Sequence, residues 1–590
     1  MKKLWKYLRD YRKECVLGPA FKLLEALFEL IVPLMIARLV DRGIRLGDSS
    51  VVLRCCLVLL LLALLGLAAS VTAQYFAARA AIGFSTKLRH ALFGHMSTLS
   101  YADLDRLGTS TLITRMTGDI NQLQTGINLG LRLLLRSPFV VFGAMIMAMT
   151  IDLHSVLLFG GVILVLFVIV FGIIFLTMPM HRGVRGDLDT VTSAMRENLS
   201  GVRVIRAFVR EGDQTRRFDR LNTRLTKAQL HVGRFSAALN PLTFLVLNAA
   251  ILLLIRSGAL RVDAGVLTQG QVIALYNYMG QILVELIKLA NLIITLTKSA
   301  ACGRRVSDML SLSSSQQDGT ESVTPLKEHE LCFEDVSVRY NETGDAALEH
   351  VSFSVRTGQT VGVIGGTGSG KSTLVQLIPR FYDTASGRVL LDGRDLRDYR
   401  LSSLRGAVGI VPQHAYLFRG TIRSNLLWGN PDAPEADLLS ALETAQASDI
   451  IAGKENGLEE EVEQGGRNFS GGQRQRLTIA RALVRRPSVL ILDDSASALD
   501  YATDAALRKA LRALPEPPIT FIVSQRTSSV RFADRILVLD DGVCVGQGTH
   551  EELLSSCPVY REIHEAQQED PIREQTVPAA PAVPEGGDPA

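Results

Sequence analysis

Apolar and polar positions give the chain two rhythms. Up to residue 303, six apolar runs stand out, at approximately 16–40, 53–77, 131–151, 156–178, 237–257 and 270–297. Each is long enough to cross a bilayer, which takes about 20 residues of helix. Helix is the one open-chain structure that satisfies its own backbone in lipid. The pattern predicts a six-span α-helical membrane domain over 16–303. Connections 41–50, 152–155 and 258–269 are short, whereas 78–130 and 179–236 are long and helical in pattern. Arg196, Arg203, Arg206, Arg210, Arg216, Arg217 and Arg220 crowd one long connection; the short ones hold Arg42, Arg45 and Arg261. The positive-inside bias puts the long connections, and with six crossings both termini, on the cytoplasmic side of a plasma (inner) membrane.

Residues 1–15 are basic and amphipathic, with Leu4, Trp5, Leu8 and Tyr11 at helical spacing. They predict an interfacial helix on the cytoplasmic leaflet. A signal peptide is not expected, because the following apolar stretch is too long and lacks a small-residue cleavage site. Stretches 77–100 and 186–230 hold few helix breakers. They read either as membrane helices continuing beyond the bilayer or as solvated surface helices. Residues 304–327 are polar and Ser-rich, a linker. From 328 to 565 short β-branched strands alternate with turns and helices, an α/β pattern. The remainder, 566–590, is rich in Pro, Ala and acid and is expected to be disordered.

Composition narrows the class. Of 590 residues 47% are apolar and 21% charged, on the greasy side of the usual quarter or so charged. Disorder or collagen as a description of the whole is excluded. Sixty-three basic against 59 acidic residues leave a net charge of +4, which disfavours nucleic acid as a partner and suits loops facing an anionic bilayer. The seven cysteines are scattered without a CxxC pair, neither a disulfide framework nor a zinc site.

The chemistry lies in the second half. The buried-strand run Thr360-Val361-Gly362-Val363-Ile364 leads into Gly365-Gly366-Thr367-Gly368-Ser369-Gly370-Lys371-Ser372-Thr373, and a helix follows. This is a complete phosphate-binding loop in its strand–loop–helix setting. Glycines turn backbone N–H groups inwards, and the helix N-terminus adds its positive end. Lys371 is suited to the β- and γ-phosphates of ATP and the Ser372 hydroxyl to Mg²⁺. Val489-Leu490-Ile491-Leu492-Asp493 is an apolar strand that delivers Asp493 as the expected second magnesium ligand.

Between them, Asn468-Phe469-Ser470-Gly471-Gly472-Gln473-Arg474-Gln475-Arg476 opens a helix. With the phosphate loop and Asp493 it resembles the signature of the ATP-binding cassette. Nearly the whole chain is similar to an ABC exporter half-transporter, and most of all to one subunit of heterodimeric bacterial multidrug exporters. Glu197 to Phe208 looks like that family's second intracellular loop, and Gly108 to Arg115 like its first. The resemblance makes Tyr340 the aromatic that stacks on adenine; an ordinary strand tyrosine is the plainer reading. It makes Gln413 the glutamine that touches Mg²⁺ and senses the γ-phosphate. Ser470, Gly471, Gly472 and Gln473 would face the ATP held by a second half-transporter. Ser497 to Asp500 would connect the two sites, and Gln464 to Arg467 would touch the partner's membrane loops.

Two departures stand against this agreement. Where the family carries a catalytic Glu after the magnesium Asp, this chain has Asp494. Where it carries a switch His, Ser524-Gln525-Arg526 supplies a glutamine. Asp is one methylene shorter, about 1.5 Å of reach. Gln525 donates an amide N–H but never becomes cationic. The resemblance therefore implies a degenerate site that binds Mg-ATP and turns it over slowly. It also implies a partner with the usual Glu and His.

In the membrane half, Asn277, Gln281, Glu285, Lys288, Asn291 and Thr295 form one polar stripe on the sixth run. Glu25 and Glu29, and Arg132 and Arg136, repeat the one-turn spacing. Buried charges in a bundle face protein or a wet cavity, so the stripe is either a translocation cavity for an amphipathic substrate or glue between helices. At the level of function, ATP-driven export of amphipathic small molecules stands beside two alternatives. One is a regulatory ATP-binding subunit, the other an importer of siderophore type with the same fold.

Overall fold

A computed structural model describes residues 2–324, 328–340 and 344–568. The chain forms two units, Met1–Ser97 with Thr109–Leu312, and Thr98–Gly108 with Ser313–Ala590.

The first unit is helical. A 3₁₀ segment, Lys2–Tyr11, precedes α1 (Arg12–Arg38), and a π-helical turn, Leu39–Ile44, leads to α2 (Ser49–Met96). The short helix α3 (Tyr101–Leu107) belongs to the second unit. There follow α4 (Thr109–Thr114), α5 (Ile120–Leu133), α6 (Arg136–Ile151), α7 (Leu153–Ser200), α8 (Val202–Ala207), α9 (Glu211–Ala237), α10 (Leu239–Asp263) and α11 (Gln269–Met309). Side-chain caps set the starts. Asp48 accepts from the Ser50 and Val51 N–H groups. Asp152 does the same for His154 and Ser155, and Thr268 forms a capping box with Gln271. Asp41 ties the first turn to α11 by accepting from the Thr268 hydroxyl at 2.5 Å and the Gly270 N–H at 2.9 Å.

Inside the bundle small residues dominate, among them Ala26, Ala144, Ala148, Ala250 and Ala274. On α2, Ala69, Ala73, Ala77 and Ala80 are buried along one face. Small side chains let helix backbones approach where lipid gives no hydrophobic drive to associate. Outward, α2 presents Leu60, Leu61, Leu64 and Leu67; only 6% of its most apolar stretch is buried, which suits lipid rather than water.

Among the described residues five helical stretches, not six, are long and apolar enough to cross a membrane: Ser49–Met96, Thr109–Ile151, Leu153–Ser200, Glu211–Asp263 and Gln269–Met309. The expected first span, 16–40, is α1, and Lys22, Glu25 and Glu29 on it dilute its hydropathy. The Lys22 ammonium is buried and donates to Glu25 at 2.5 Å and to Ser70 at 3.2 Å. Other boundaries shift as well. The expected interfacial helix 1–15 is a 3₁₀ segment to Tyr11, with α1 already under way at Arg12. The stretch 77–100 is continuous helix to Met96, but 186–230 is broken at Gly201 and again before Glu211, where Val209 takes φ +53°. The expected linker 304–327 starts late, because Cys302, Val306 and Met309 stay buried and carry α11 to Met309. Of the expected tail, 566–568 is helical; 569–590 lies outside the described residues.

The second unit is built on a mixed sheet of ten strands. Its parallel core runs, in spatial order, Val408–Val411, Val489–Asp493, Ile519–Val523, Thr360–Gly365 and Arg535–Asp540. Three of these, Val489–Asp493, Ile519–Val523 and Thr360–Gly365, are buried at every position, as strands covered on both faces are. Ligands of such sheets bind at the carboxyl ends of the strands. Register fixes which residues meet there, since Val523 pairs with both Asp493 and Val363, and Val411 with Leu492. The phosphate loop, Asp493-Asp494, Ser524-Gln525 and the loop to Gln413 therefore leave from one edge.

Two further pieces complete this unit. Residues 313–324 are a strap rather than a free linker. The Ser315 N–H donates to Asp103 of α3 at 2.9 Å, the Gln316 amide to the Arg380 carbonyl at 3.2 Å, and Asp318 accepts from the Leu401 N–H at 2.7 Å. The C-terminal helix, Pro558–Gln568, buries Tyr560 completely.

Candidate functional site

The phosphate loop begins where the buried strand Thr360–Gly365 ends. Gly370 caps the next helix, Lys371–Leu377, at φ +93°, and a Cβ there would sit 2.5 Å from the Ala347 carbonyl oxygen, so only glycine fits. The Lys371 ammonium lies across the loop, donating to the carbonyls of Gly365 at 3.0 Å and Gly366 at 2.5 Å. Burial lowers its pKa, with Asp494 and Asp493 opposing. The Ser372 hydroxyl donates to Asp493 at 3.3 Å. Asp493 is buried. Burial pushes its carboxyl above the ordinary aspartate value, the Ser372 bond opposes, and the negative neighbour Asp494 adds to the rise. Gln413 donates to Asp494 at 3.4 Å. Thus Lys371, Ser372, Asp493, Asp494 and Gln413 form one cluster. A serine hydroxyl beside a buried carboxylate is a hard-oxygen donor set fitting Mg²⁺, and Ser372 and Asp493 would hold it. Between the ordered glycines, Gly366, Thr367, Gly368 and Ser369 shape the rim, with the Ser369 hydroxyl 3.4 Å from Lys371.

The hydroxyls of Tyr340 and Thr373 are 2.9 Å apart. The Tyr340 ring meets Tyr382 edge-on, centroids 4.9 Å apart, and the Tyr382 hydroxyl donates to Asp105 of α3 at 2.5 Å. Phe381 packs on Tyr101 of α3 at 4.2 Å. A continuous chain of contacts therefore runs from the phosphate-loop helix through two tyrosines to α3. Neither Tyr382 nor Asp105 was marked by the sequence; Arg380-Phe381-Tyr382-Asp383 carries no phosphate-binding pattern of its own.

Ser470 caps the helix Gly471–Leu483 in a capping box with Gln473. Gly471 has open space around it, and a Cβ on Gly472 would come 3.0 Å from the Ala498 carbonyl. Among the described residues, no hydrogen bond joins Ser470, Gly471, Gly472 or Gln473 to the phosphate loop. The Gln525 side chain is exposed, and its carbonyl accepts from Gln567 at 2.8 Å, a partner that sequence reading placed in the disordered tail.

In the first unit, the buried Arg136 donates to Glu285 and to Glu29, both at 2.5 Å. Ser137 and Lys288 each donate to Glu285 at 2.8 Å. Gln281 donates to the Glu29 carbonyl at 3.3 Å, while Asn277 bonds only its own helix at Ile273. The stripe on α11 is thus partly consumed in tying α1, α6 and α11 together. Glu29 and Lys288, with side chains 44% and 42% exposed, are the ends that remain accessible.

Comparison with known proteins fits this arrangement at both ends of the chain. Residues 16–286 match the family model of the ABC transporter transmembrane region, and 348–497 that of the ABC transporter. An uncharacterised ABC transporter ATP-binding protein of Mycobacterium tuberculosis is 36% identical over 576 residues, 96% of this chain and 97% of that protein. The chain belongs to the ABC transporters. An ATP-dependent lipid A-core flippase of Vibrio parahaemolyticus is 28% identical over 571 residues, 96% of this chain and 97% of its own. In fold, this ABC transporter is similar to a bacterial Atm1-family ABC exporter with ATP bound, at TM-score 0.78 and 24% identity, covering 94% of this chain and 98% of that one. It is a multi-pass membrane protein that binds and hydrolyses ATP, with Mg²⁺ as the usual partner ion.

Proposed function

We propose that this chain is one half of a heterodimeric exporter of amphipathic small molecules in the plasma (inner) membrane. With α1 as a sixth crossing, its termini and second unit would face the cytoplasm, and its own ATP site would bind Mg-ATP and turn it over slowly. One observation carries the reading: a complete phosphate cluster is combined with Asp494 and Gln525 where a base and a cationic switch are expected. Asp494 holds a left-handed backbone, φ +47°, with its N–H bonded to the Val523 carbonyl at 2.9 Å. Anchored so, the backbone does not advance to make up the missing methylene. Misplacing a catalytic group by such a distance costs about 10²-fold, and losing a general base about 10²–10⁴-fold.

The partner would be a second half-transporter with the usual Glu and His, its ATP completed by Ser470, Gly471 and Gly472. Exposed apolar residues at the tip of the long loop, Val204, Phe208 and Val209, are the kind of surface a partner covers. An amphipathic cargo is supported by the accessible Glu29 and Lys288 on otherwise apolar helices, and by the lipid named for the flippase relative. The domain division proposed is a membrane domain to Leu312, without Thr98–Gly108, and a nucleotide-binding domain from Ser313 to which Thr98–Gly108 belongs.

The test is ATPase activity. The chain purified alone is expected to be nearly silent, and Asp494→Glu with Gln525→His is expected to raise hydrolysis in the assembled complex. Robust turnover by the unaltered chain on its own refutes the degenerate site.

A further inference from the structure

The loop that carries Gln525 is held at both ends. At its start, the Ser524 N–H donates to the Val363 carbonyl at 3.0 Å, and the Ser524 hydroxyl accepts from the Arg526 N–H at 3.0 Å. Beyond Arg526 the anchor comes from the C-terminal helix. Gln567 accepts from the Thr527 N–H at 2.8 Å and from the Thr527 hydroxyl at 3.0 Å, and donates to the Gln525 carbonyl at 2.8 Å. His564, one turn back, lies 3.1 Å from the Thr527 hydroxyl. The helix that supplies these groups is itself fixed: the Tyr560 hydroxyl, on a fully buried ring, is 2.8 Å from His550.

A single amide therefore bridges two main-chain groups of opposite polarity on either side of Arg526. That takes a side chain with both a donor and an acceptor; glutamate offers only the acceptor and lysine only the donor. We propose that Gln567 is a positioning residue, a clamp that sets the reach of Gln525 toward the terminal phosphate of ATP. The proposal rests on the reading of Gln525 as the switch residue. A cationic histidine attracts phosphate over some distance, whereas a neutral amide gains only from a hydrogen bond, which weakens steeply with distance and angle. A switch residue that has lost its charge thus depends on where its backbone is held, and here the holding group comes from the chain's last helix.

The experiment compares ATP and ADP affinities of the full-length chain, measured by displacement of a fluorescent ATP analogue. Gln567→Ala is expected to lower the preference for ATP over ADP about fivefold, the worth of one hydrogen bond, with ADP affinity unchanged. Gln525→Ala is expected to lower it by a similar factor, and Gln567→Ala added to Gln525→Ala to lower it no further. Gln567→Glu keeps the acceptor for Thr527 but sets a carboxylate against the Gln525 carbonyl. It is expected to lose the same preference while the Thr527 amide stays protected from hydrogen exchange, and it serves the comparison if Gln567→Ala does not fold. An equal fall on both backgrounds would mean that Gln567 acts on folding alone, and overturns the clamp. So does an unchanged preference in Gln567→Ala and Gln567→Glu while Gln525→Ala lowers it. If Gln525→Ala itself leaves the preference unaltered, the reading of Gln525 fails and the clamp goes with it.

Discussion

Asp493 shows in one residue how binding is set against stability. Its carboxylate is buried beside Asp494 and accepts from the Ser372 hydroxyl at 3.3 Å. Burying a charge without full compensation is costly, which is why its pKa rises. A doubly charged cation arriving with nucleotide would offset that cost. Asp493→Asn removes the charge at nearly constant shape. The expected outcome is loss of Mg²⁺-dependent ATP binding together with a higher unfolding temperature of the nucleotide-free chain. The gain should be roughly 2–4 °C, equivalent to about 1 kcal/mol in a domain of this size. Calorimetry with and without Mg-ATP checks both halves, and a fall in the unfolding temperature without nucleotide contradicts the account.

Among elements, those fixed by local chemistry were legible and those fixed by packing were not. The strand Thr360–Gly365 and the helix from Lys371 followed from a buried run and its glycines, and Val489–Asp493 from its four apolar residues. Lys371, Ser372 and Asp493 were named by their motifs, Gln413 by the family resemblance, and Asp494 as a departure from it. By contrast, the end of α11 depends on the burial of Cys302, Val306 and Met309, while the surrounding Arg and Ser pattern reads as linker. The break at Gly201 is one glycine in a stretch that otherwise holds few helix breakers. Residues 313–324 look structureless in composition because their order comes from bonds to distant groups, chiefly Asp103. That carboxylate accepts from the Ser100 hydroxyl at 2.6 Å and the Ser315 N–H at 2.9 Å. Burial raises its pKa, but the bonds from Ser100 and Ser315 outweigh burial and leave it below the ordinary 3.8. A depressed carboxyl contributes stability above its unfolded value, and that contribution is lost as pH falls through the folded value. Asp103→Ala should therefore destabilise the chain at neutral pH by about 1–3 kcal/mol. The difference between variant and wild type should close below pH 3.8. Thermal unfolding across pH reads it; a gap that persists in acid removes the carboxylate from the explanation.

At the scale of the whole molecule, the chain combines the run Ser470-Gly471-Gly472-Gln473 with Asp494 and Gln525 at the positions proposed for base and switch. Ser470 caps its helix in a box with Gln473, and a helix N-terminus of this kind suits an anion. Gly471 has no atom within 4 Å of where a Cβ would lie. Gly471→Asp should then fold normally, since an acidic residue in the first turn also suits the helix dipole. In a heterodimer the new carboxylate would face the ATP of the partner. Two unit charges at about 4 Å repel by about 4 kcal/mol at an effective dielectric of about 20, roughly a thousandfold in occupancy or rate. Asp494→Asn alters only the site of this chain, through which little turnover is proposed to pass. In the co-purified complex, Gly471→Asp is expected to abolish ATPase activity and Asp494→Asn to reduce it modestly. Equal damage from the two substitutions would mean that both sites hydrolyse, and the division of labour between the halves would have to be given up. Two copies of this chain would make two slow sites, so a second pair of substitutions separates a heterodimer from a homodimer. In a homodimer, restoring Asp494→Glu and Gln525→His would be enough to give full turnover without any other chain.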